Sequence, residues 1–335
     1  MKNVMVTGGA GFIGSNFIRY WISKNPDDNV LNYDKLTYAG NLASVIDLRA
    51  YGRYHFIQGD ICDEKFLQKN LEVYEIDLIV NFAAESHNSL AIHAPKQFFQ
   101  SNLMGVVTIL DVIRRMTKPP RFHHVSTCEV FGDLPLTGKS KFKESSPLRP
   151  NQPYSASKAC AELAIQSFFK TYKLPITMSN ACNNYGPWQM PEKLIPKFVT
   201  DLMEDKNITL YQESGAKREW MHVMDHCRGI TRVINKGKIG HSYNIGSGLE
   251  KSIEEIANII LQEMKQPQSK KTYIKSRPSH DRRYLLDSSK IKQKLGFVPK
   301  IDFGEGLKAT IKWYRNNEKW WRQAKQKLIV EEKWD

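Results

Sequence analysis

The sequence predicts an α/β protein whose core is a doubly wound parallel sheet. Short apolar segments alternate with helical patterns through the first half of the chain, at residues 4–6, 30–33, 55–57, 78–80 and 123–125. Strands this short and apolar are typical of a parallel sheet that helices cover on both faces. Right-handed crossover connections then produce the doubly wound arrangement.

Helical periodicity accounts for the segments between and after these strands. Phe12, Ile13, Phe17 and Ile18 form an apolar stripe after the first strand, and similar patterns occur around 66–71 and 106–113. A long helix is expected after Tyr154, ending before residue 175. Prolines interrupt the pattern from about residue 180, and further helices are predicted over 253–264 and 306–314.

Length and charge limit the class of protein. The 335 residues suffice for one large α/β domain or two linked lobes. The net charge of +14 is spread along the chain, which favours anionic ligands such as a nucleotide diphosphate. The C-terminal stretch mixes basic residues with tryptophans, a composition also found in nucleic-acid-binding segments. Since no nucleic-acid-binding fold is recognisable, we expect no nucleic-acid partner.

The cysteines and the N-terminus indicate the compartment. Cys62, Cys128, Cys160, Cys182 and Cys227 form no C-x-x-C pair and no histidine cluster at metal-ligand spacing, so we expect no metal. The chain starts with a strand rather than a charged leader and an apolar run, and no segment has the ~20 apolar residues of a membrane helix. The sequence predicts a soluble cytoplasmic protein without a membrane partner.

A glycine turn follows the first strand. Gly8, Gly11 and Gly14 are spaced G-x-x-G-x-x-G, and Phe12 and Ile13 open the helix between the last two. Gly8 allows a tight turn, Gly11 lets the backbone approach a pyrophosphate, and Gly14 permits close helix packing. The helix N-terminus offers unpaired N–H groups to the anion. This arrangement predicts a dinucleotide site of the Rossmann type.

Asp34 indicates which dinucleotide is bound. It ends the second strand about 20 residues after the glycines, where a carboxylate accepts hydrogen bonds from the ribose 2′-OH and repels a 2′-phosphate. NAD is therefore favoured over NADP. Asp60 and Ile61, after the third strand, are candidates for holding the adenine, and Asp60 is equally a candidate helix cap.

These observations divide the chain. We expect an NAD-binding Rossmann domain over residues 1–178, with segments near 220–245 returning to it. A smaller C-terminal lobe over 179–320 would bind the substrate, and residues 321–335 would form a C-terminal tail.

A further constellation predicts the chemistry. Tyr154 and Lys158 are four positions apart, which places both on one helix face. The lysine charge and a nicotinamide cation would lower the phenol pKa from its usual ~10, making a base for a hydroxyl proton while hydride leaves the same carbon. Thr127, Cys128 and Glu129 precede this pair. The thiol and carboxylate indicate an elimination of water, which needs one group to remove a proton and another to supply one.

These motifs resemble the nucleotide-sugar 4,6-dehydratases of the extended short-chain dehydrogenase/reductase family, the dTDP-glucose and UDP-glucose 4,6-dehydratases. The resemblance runs from Thr7 to about Tyr314. Beyond the glycine turn and the Tyr154/Lys158 pair, it is carried by residues 34–41, Asp-Lys-Leu-Thr-Tyr-Ala-Gly-Asn, by 83–87, Ala-Ala-Glu-Ser-His, by 183–187, Asn-Asn-Tyr-Gly-Pro, by 191–196, Pro-Glu-Lys-Leu-Ile-Pro, and by 277–284, Arg-Pro-Ser-His-Asp-Arg-Arg-Tyr.

The resemblance implies a three-step reaction in a rhamnose-type deoxysugar pathway. Tyr154, with Lys158 and Thr127, would deprotonate the C4 hydroxyl as hydride passes to NAD. Glu129 would remove the C5 hydrogen while the C6 hydroxyl leaves as water, and hydride would return to C6. Lys35, Thr37 and Ala83 would complete the cofactor contacts. The implied substrate contacts are Ser86, Asn184, Glu192, Lys193, Arg218, Asn244, Arg277 and His280.

The chain departs from the family at several positions. Cys128 replaces an aspartate, residues 88–91, Asn-Ser-Leu-Ala, replace Val-Asp-Arg-Ser, Phe131 replaces a tyrosine, and Asn180 replaces a common arginine. A thiol, with pKa ~8.5, already holds a proton near neutral pH, so one hypothesis makes Cys128 the acid. The alternative is that Glu129 acts as base and then as acid. Strand alternation would point Cys128 away from Thr127 and Glu129 unless the chain turns there.

Other functions remain open at this point. A 4-epimerase of the same fold would share the cofactor site and Tyr154 but would need no acid and base after Thr127. A 5,6-dehydratase that returns hydride to C4, or a redox-sensing binding protein that uses Cys128, are further alternatives. Whether the nucleotide is UDP or dTDP is also open. The resemblance implies a homodimer through helices at about 95–115 and 154–173.

Overall fold

The computed structural model describes residues 1–276 and 281–328. Twelve strands occur in these ranges: β1 (Asn3–Thr7), β2 (Asn29–Asp34), β3 (Tyr54–Gln58), β4 (Leu78–Asn81), β5 (Arg121–Thr127), β6 (Ile176–Ala181), β7 (Asn183–Tyr185), β8 (Ile208–Tyr211), β9 (Lys217–His222), β10 (Ser242–Ile245), β11 (Glu250–Ser252) and β12 (Lys271–Ile274).

Twelve α-helices occur in the same described part of the chain: α1 (Phe12–Lys24), α2 (Glu64–Val73), α3 (Asn88–His93), α4 (Pro95–Phe99), α5 (Gly105–Arg115), α6 (Pro153–Tyr172), α7 (Leu194–Met203), α8 (Val223–Lys236), α9 (Ile253–Glu263), α10 (Ser289–Leu295), α11 (Phe303–Asn316) and α12 (Glu318–Lys325). Among the described helices, none is both long enough and apolar enough to cross a membrane.

The predicted doubly wound sheet is confirmed. Seven parallel strands lie in the order β10-β6-β5-β4-β1-β2-β3, and they include all five strands predicted from the first half of the sequence. The order reverses between β1 and β4, so the loops after these two strands diverge to opposite faces. Such a switch point opens a crevice at the carboxyl ends of the strands, where ligands bind.

Both faces of this sheet are buried, as the apolar strands predict. Alternate side chains of β1 point to opposite faces, so Val4 and Val6 join one hydrophobic cluster and Met5 joins another. Helices α1 and α8 cover the first face, while α2, α5 and α6 cover the second. The predicted return of the chain near 220–245 corresponds to α8 and β10.

A smaller lobe lies beside the crevice. It contains a three-stranded sheet in the order β11-β9-β7 and a parallel pair of β8 and β12. Helices α7, α9, α11 and α12 pack around one apolar cluster in this lobe. The predicted boundary at residue 178 falls inside β6, because that strand continues to Ala181 in register with β5.

The segment from residue 321, predicted as a tail, is in part a packed helix. Trp320 and Trp321 are buried in α12, and the indole N–H of Trp320 donates to the Ser44 hydroxyl at 3.1 Å. Lys325 forms ion pairs with Asp201 and Glu204, each at 2.9 Å. The tryptophans of this segment therefore belong to the core of the smaller lobe.

Replacing Trp321 by Ala tests this role of α12. Trp321 is 0% exposed and its indole N–H donates to the Tyr314 carbonyl at 3.0 Å, so we expect a loss of about 3–5 kcal/mol in the free energy of unfolding. Urea denaturation measures the change. Lys319→Ala, an exposed change on the same helix, should stay within about 0.5 kcal/mol. Equal effects of the two variants would contradict a structural role for the helix end.

Candidate active site

The glycine turn has the close packing that its sequence predicts. Gly8 has a φ of +69°, and a Cβ there would lie 2.6 Å from the Ala83 nitrogen. A Cβ at Gly14 would overlap the Gly8 carbonyl oxygen. Gly11 is the N-cap of α1 and no side chain caps this helix, so N–H groups of the first turn remain for an anionic ligand.

The end of β2 places a carboxylate beside this turn. Asp34 accepts hydrogen bonds from the backbone N–H groups of Ala10 at 2.9 Å and Leu36 at 2.8 Å. Burial raises the pKa of Asp34, and these two bonds oppose that rise. The carboxylate is thereby held in place at the carboxyl end of the second strand, where a ribose binds in this fold.

Asp60 has a different role from the predicted helix cap. It forms an ion pair with Lys35 at 2.7 Å and accepts from the Cys62 N–H at 2.9 Å. The cap of α2 is Asp63, which accepts from the Phe66 N–H at 3.1 Å. Asp60 is therefore free of the helix and lies at the cavity wall.

One cavity collects the predicted cofactor-binding residues. It lies at the carboxyl ends of β1, β2 and β4, and all thirteen residues predicted for the cofactor line it: Gly8, Gly11, Phe12, Ile13, Gly14, Asp34, Lys35, Thr37, Asp60, Ile61, Ala83, Tyr154 and Lys158. The crevice at the switch point therefore brings together the residues that the glycine spacing and the resemblance predict for a dinucleotide.

A second cavity adjoins the first. Ser86, Glu192 and Lys193 line both, so the two cavities meet at these residues and together form a cleft between the sheet and the smaller lobe. Glu129 and Arg218 line the second cavity. Tyr154 and Glu129 thus open into the same cleft, with Tyr154 towards the cofactor side and Glu129 towards the smaller lobe.

Tyr154 and Lys158 project from the first turns of α6. Both are buried, and Lys158 Nζ donates to the Val125 carbonyl at 2.8 Å. The Thr127 side chain favours the ionised phenol of Tyr154 and so acts to lower its pKa. Burial lowers the pKa of Lys158 to about 8, and the nearby Glu162 carboxylate opposes this by favouring the ammonium.

The protein alone does not lower the phenol pKa, contrary to our expectation. Burial raises the pKa of Tyr154, and the negative charge of Glu129 raises it further, while the hydrogen bond from Thr127 opposes the rise. Lys158 makes its bonds to β5 rather than to the phenol. The predicted lowering of the Tyr154 pKa therefore depends on the positive charge of the nicotinamide, the second cause that the sequence analysis named.

Several polar groups behind Lys158 were not predicted. Lys158 Nζ lies 3.2 Å from His124 Nε2, and His124 Nδ1 lies 3.0 Å from Asn81 Nδ2. Glu162 accepts from the Ser126 hydroxyl at 2.5 Å and from Asn180 Nδ2 at 2.6 Å. Asn180, which replaces a common arginine, thus still bonds to Glu162. Polar residues within an otherwise apolar strand and helix were the signal that could have identified them.

Cys128 does not lie in the cleft. The chain does turn after β5, through a 3₁₀ helix over Cys128–Phe131, but Cys128 is 2% exposed, belongs to the hydrophobic core and lines neither cavity. Burial raises the pKa of its thiol well above the usual value. The turn brings Glu129 into the cleft and leaves Cys128 behind it, which does not favour the thiol as the acid.

Some of the other predicted substrate contacts line the cleft, and others do not. Ser86, Glu192, Lys193 and Arg218 line the cleft. Asn184 and Asn244 line neither cavity. Asn184 Nδ2 donates to the Cys182 carbonyl at 2.8 Å, and Asn244 Nδ2 donates to the Phe142 carbonyl at 2.8 Å. Both side chains bond to neighbouring backbone, and their roles as substrate contacts stay predictions.

Two predicted substrate contacts fall outside the described residues, and two unpredicted residues line the cleft. Arg277 and His280 lie outside the described residues. Asn183 lines the cleft in place of its neighbour Asn184, and Asn88 lines it beside Glu129. Within residues 1–276 and 281–328, no group of three or more His, Cys, Asp or Glu could hold a metal ion.

Comparison with known proteins identifies the family. Residues 5–310 match the family described as GDP-mannose 4,6 dehydratase. A dTDP-glucose 4,6-dehydratase from Salmonella typhimurium is 38% identical, with 96% of this chain and 95% of that protein covered. One from Mycobacterium tuberculosis is 41% identical, with 96% of each covered. This chain belongs to the nucleotide-sugar 4,6-dehydratases of the extended short-chain dehydrogenase/reductase family.

Solved structures agree with this family. A dTDP-glucose 4,6-dehydratase from Streptomyces venezuelae, solved with NAD bound, is 42% identical and superposes with a TM-score of 0.92 over 96% of this dehydratase and 99% of that chain. One from Bacillus anthracis in complex with NAD is 39% identical, with a TM-score of 0.90 over 97% and 100%. A UDP-glucose 4-epimerase from Thermotoga maritima, at 23% identity and a TM-score of 0.86, shares the fold.

The ionisation of Lys158 makes the dehydratase pH-dependent. Because burial lowers the Lys158 pKa to about 8, the ammonium is present below that pH, and kcat/KM should fall as pH rises through it. Glu162→Gln removes the carboxylate that favours the ammonium, so we expect the fall to move down by ~0.5–1 pH unit. A pH–rate profile measures this.

The control for this change is Glu64→Gln. Glu64 pairs with Arg115 on the exposed surface, far from Lys158 in the fold, so its profile should match that of the parent protein. A Glu162→Gln variant that kept both its activity and the parent profile would show that Glu162 does not act on Lys158.

Proposed function

We propose that this chain converts a nucleotide-diphosphate glucose, dTDP-glucose or UDP-glucose, to the 4-keto-6-deoxy sugar. The observation that carries the proposal is that Tyr154 and Glu129 open into one continuous cleft beside the glycine turn. A proton acceptor for C4 and one for C5 are thus available to a single bound sugar. dTDP-glucose is the first candidate because the relatives of known activity described above carry that name.

The residues at the switch point fit NAD. The turn at Gly8 and Gly14 leaves no room for a side chain, as a pyrophosphate cradle requires, and α1 offers uncapped N–H groups. Asp34 suits a ribose 2′-OH and would repel a 2′-phosphate. When bound, NAD accepts a hydride from C4 of the sugar and later returns one to C6.

The first step depends on the phenol of Tyr154. Burial and the nearby Glu129 charge raise the pKa of this phenol and keep it protonated, and the Thr127 side chain opposes that rise. Lys158, one turn further along α6, adds a positive charge. Tyr154 takes the proton of the C4 hydroxyl once the cofactor charge has favoured the phenolate. Lys158, held by the Val125 carbonyl, supports that phenolate.

The second step depends on Glu129. A ketone at C4 makes the C5 hydrogen acidic, and the Glu129 carboxylate is the base on the smaller-lobe side of the cleft. A 4-epimerase needs no such base, so the position of Glu129 favours the dehydratase over the epimerase. Arg218 and Lys193, which line the same cavity, supply positive charge for the diphosphate.

A substrate panel tests the proposed reaction. We expect the purified protein with NAD to form a 4-keto-6-deoxy sugar from dTDP-glucose or UDP-glucose, detected by mass and NMR. Tyr154→Phe removes the proton acceptor and should lower kcat by ~10²-fold or more. Tyr172→Phe, at the exposed end of α6, is the matched control and should keep full activity. Formation of a C4 epimer or a 5,6-unsaturated sugar instead would refute the proposal.

We also propose a cytoplasmic homodimer. The cysteines within the described residues are free, as expected in a reducing compartment. Helices α5 and α6 pack together, and the largest exposed apolar side chains near them are Met104, Leu163 and Tyr172, at 45, 55 and 47% exposure. A second copy packed on these helices would bury all three.

Leu163→Glu tests the dimer. A carboxylate at the centre of the helix pair should destabilise the dimer by raising its dissociation constant ~10-fold or more, because it would be buried without a partner. Sedimentation velocity measures the ratio of dimer to monomer. Ile46→Glu, at a side chain 53% exposed and outside these helices, should leave the ratio unchanged. A monomeric parent protein would refute the dimer.

A further inference from the structure

Asn88 contacts the residue proposed as the base. It is the first residue of α3, and its Nδ2 donates to Glu129 Oε2 at 3.1 Å. Both side chains line the substrate side of the cleft. The family that this chain resembles has a valine at position 88, and valine has no polar atom to offer a carboxylate. Asn88 therefore offers Glu129 a hydrogen bond that a valine at this position could not.

The orientation of the Asn88 amide follows from its partner. An ionised carboxylate only accepts hydrogen bonds, so the NH₂ group must face Glu129. The amide oxygen, Oδ1, is buried and has no hydrogen-bond partner within the described residues. The N-cap of α3 is His87, whose ring accepts from the Leu90 N–H at 3.1 Å, so Asn88 is not needed to cap its helix. Within the described residues, the hydrogen bond to Glu129 is the one that the Asn88 side chain makes.

The residue next to Glu129 does not line the cleft. The family aspartate is Cys128 here, and its thiol packs in the hydrophobic core with Val130 and Phe131 instead of lining either cavity. The Cys128 thiol is 2% exposed, and burial raises its pKa well above the usual value. Of these two neighbours, Glu129 lines the cleft and Cys128 does not. Asn88 holds the Glu129 carboxylate in that position.

We propose that Glu129, positioned by Asn88, carries the C5 proton to the departing C6 oxygen, and that Cys128 takes no part in this transfer. The inference rests on the proposed function and assigns the acid within that reaction. Asn88 is a positioning residue, because it acts on the sugar through Glu129.

The transfer balances without a further reactant. The C5–H bond breaks, its proton moves to Glu129, and its electron pair becomes the C5=C6 double bond. The C6–O bond breaks, and the leaving hydroxyl takes the same proton from Glu129 to depart as water. Glu129 is again a carboxylate. The proton that C5 needs after the reduction at C6 comes from solvent, which replaces the one that the C4 hydroxyl released to Tyr154.

Hydrogen exchange at C5 of the 4-keto-6-deoxy product isolates the base function. The product already carries the ketone, so its exchange in deuterium oxide requires Glu129 but no net turnover. With the NAD-loaded protein, NMR should show exchange slowed ~10-fold or more in Asn88→Val and abolished in Glu129→Gln. Exchange in Cys128→Ala should equal that of the parent protein.

Turnover then tests the acid function. Cys128→Ala should keep kcat within ~2-fold of the parent value. Cys182→Ala is the matched control, because it removes another buried thiol from the same core cluster, and it should have an equally small effect. Asn88→Val should lower kcat ~10-fold while KM changes less than ~2-fold, since the change acts on the elimination and not on binding. Thermal unfolding of each variant establishes that the protein is folded.

The two proposals fail in different ways. Suppose that the parent protein and the Cys182→Ala variant turn over dTDP-glucose or UDP-glucose, but the Cys128→Ala variant does not. This result would overturn the inference about Glu129 and leave the proposed function standing. Parent-like exchange in Asn88→Val would do the same. A parent protein that neither turns over these sugars nor exchanges C5 would refute the proposed function and this inference with it.

Discussion

The turn at the end of β5 is the constraint on which the site depends. β5 is buried between β4 and β6, so its direction is set by two ladders of backbone hydrogen bonds. The chain leaves it at Thr127, turns through the 3₁₀ helix, and ends that turn at Gly132, whose φ is +87° and whose missing Cβ makes room for the Arg149 carbonyl. This path places Glu129 in the cleft and Thr127 beside Tyr154.

The surroundings of α6 make this geometry chemically useful. Lys158, Glu162 and His124 are buried together, so each feels little screening by water. Burial lowers the pKa of Lys158 to about 8 and raises that of Glu162 to about 7, and each charge favours the ionised form of the other. The hydrogen bonds of this group run into β5 and β6, so the lysine is fixed by the same strands that end at the catalytic turn.

The cofactor site and the fold class were predictable because they are local. Glycine spacing, the carboxylate at the end of β2 and the continuous burial of short apolar strands are local features of strand–turn–helix units, and the thirteen predicted cofactor residues line one cavity. The substrate side depends on contacts between distant segments. Asn184 and Asn244 were inferred by position, but each bonds to neighbouring backbone, and the helix that contains Trp321 was mistaken for a tail.

The sequence by itself determined the sheet and the glycine turn, because periodicity and residue chemistry do not depend on distant contacts. Tertiary structure alone decided which of the neighbours Cys128 and Glu129 faces the cleft, and that Asn88 meets Glu129 across 41 positions of sequence. These outcomes depend on how a turn rotates and which helix packs against it. Neither leaves a periodic signal in the chain.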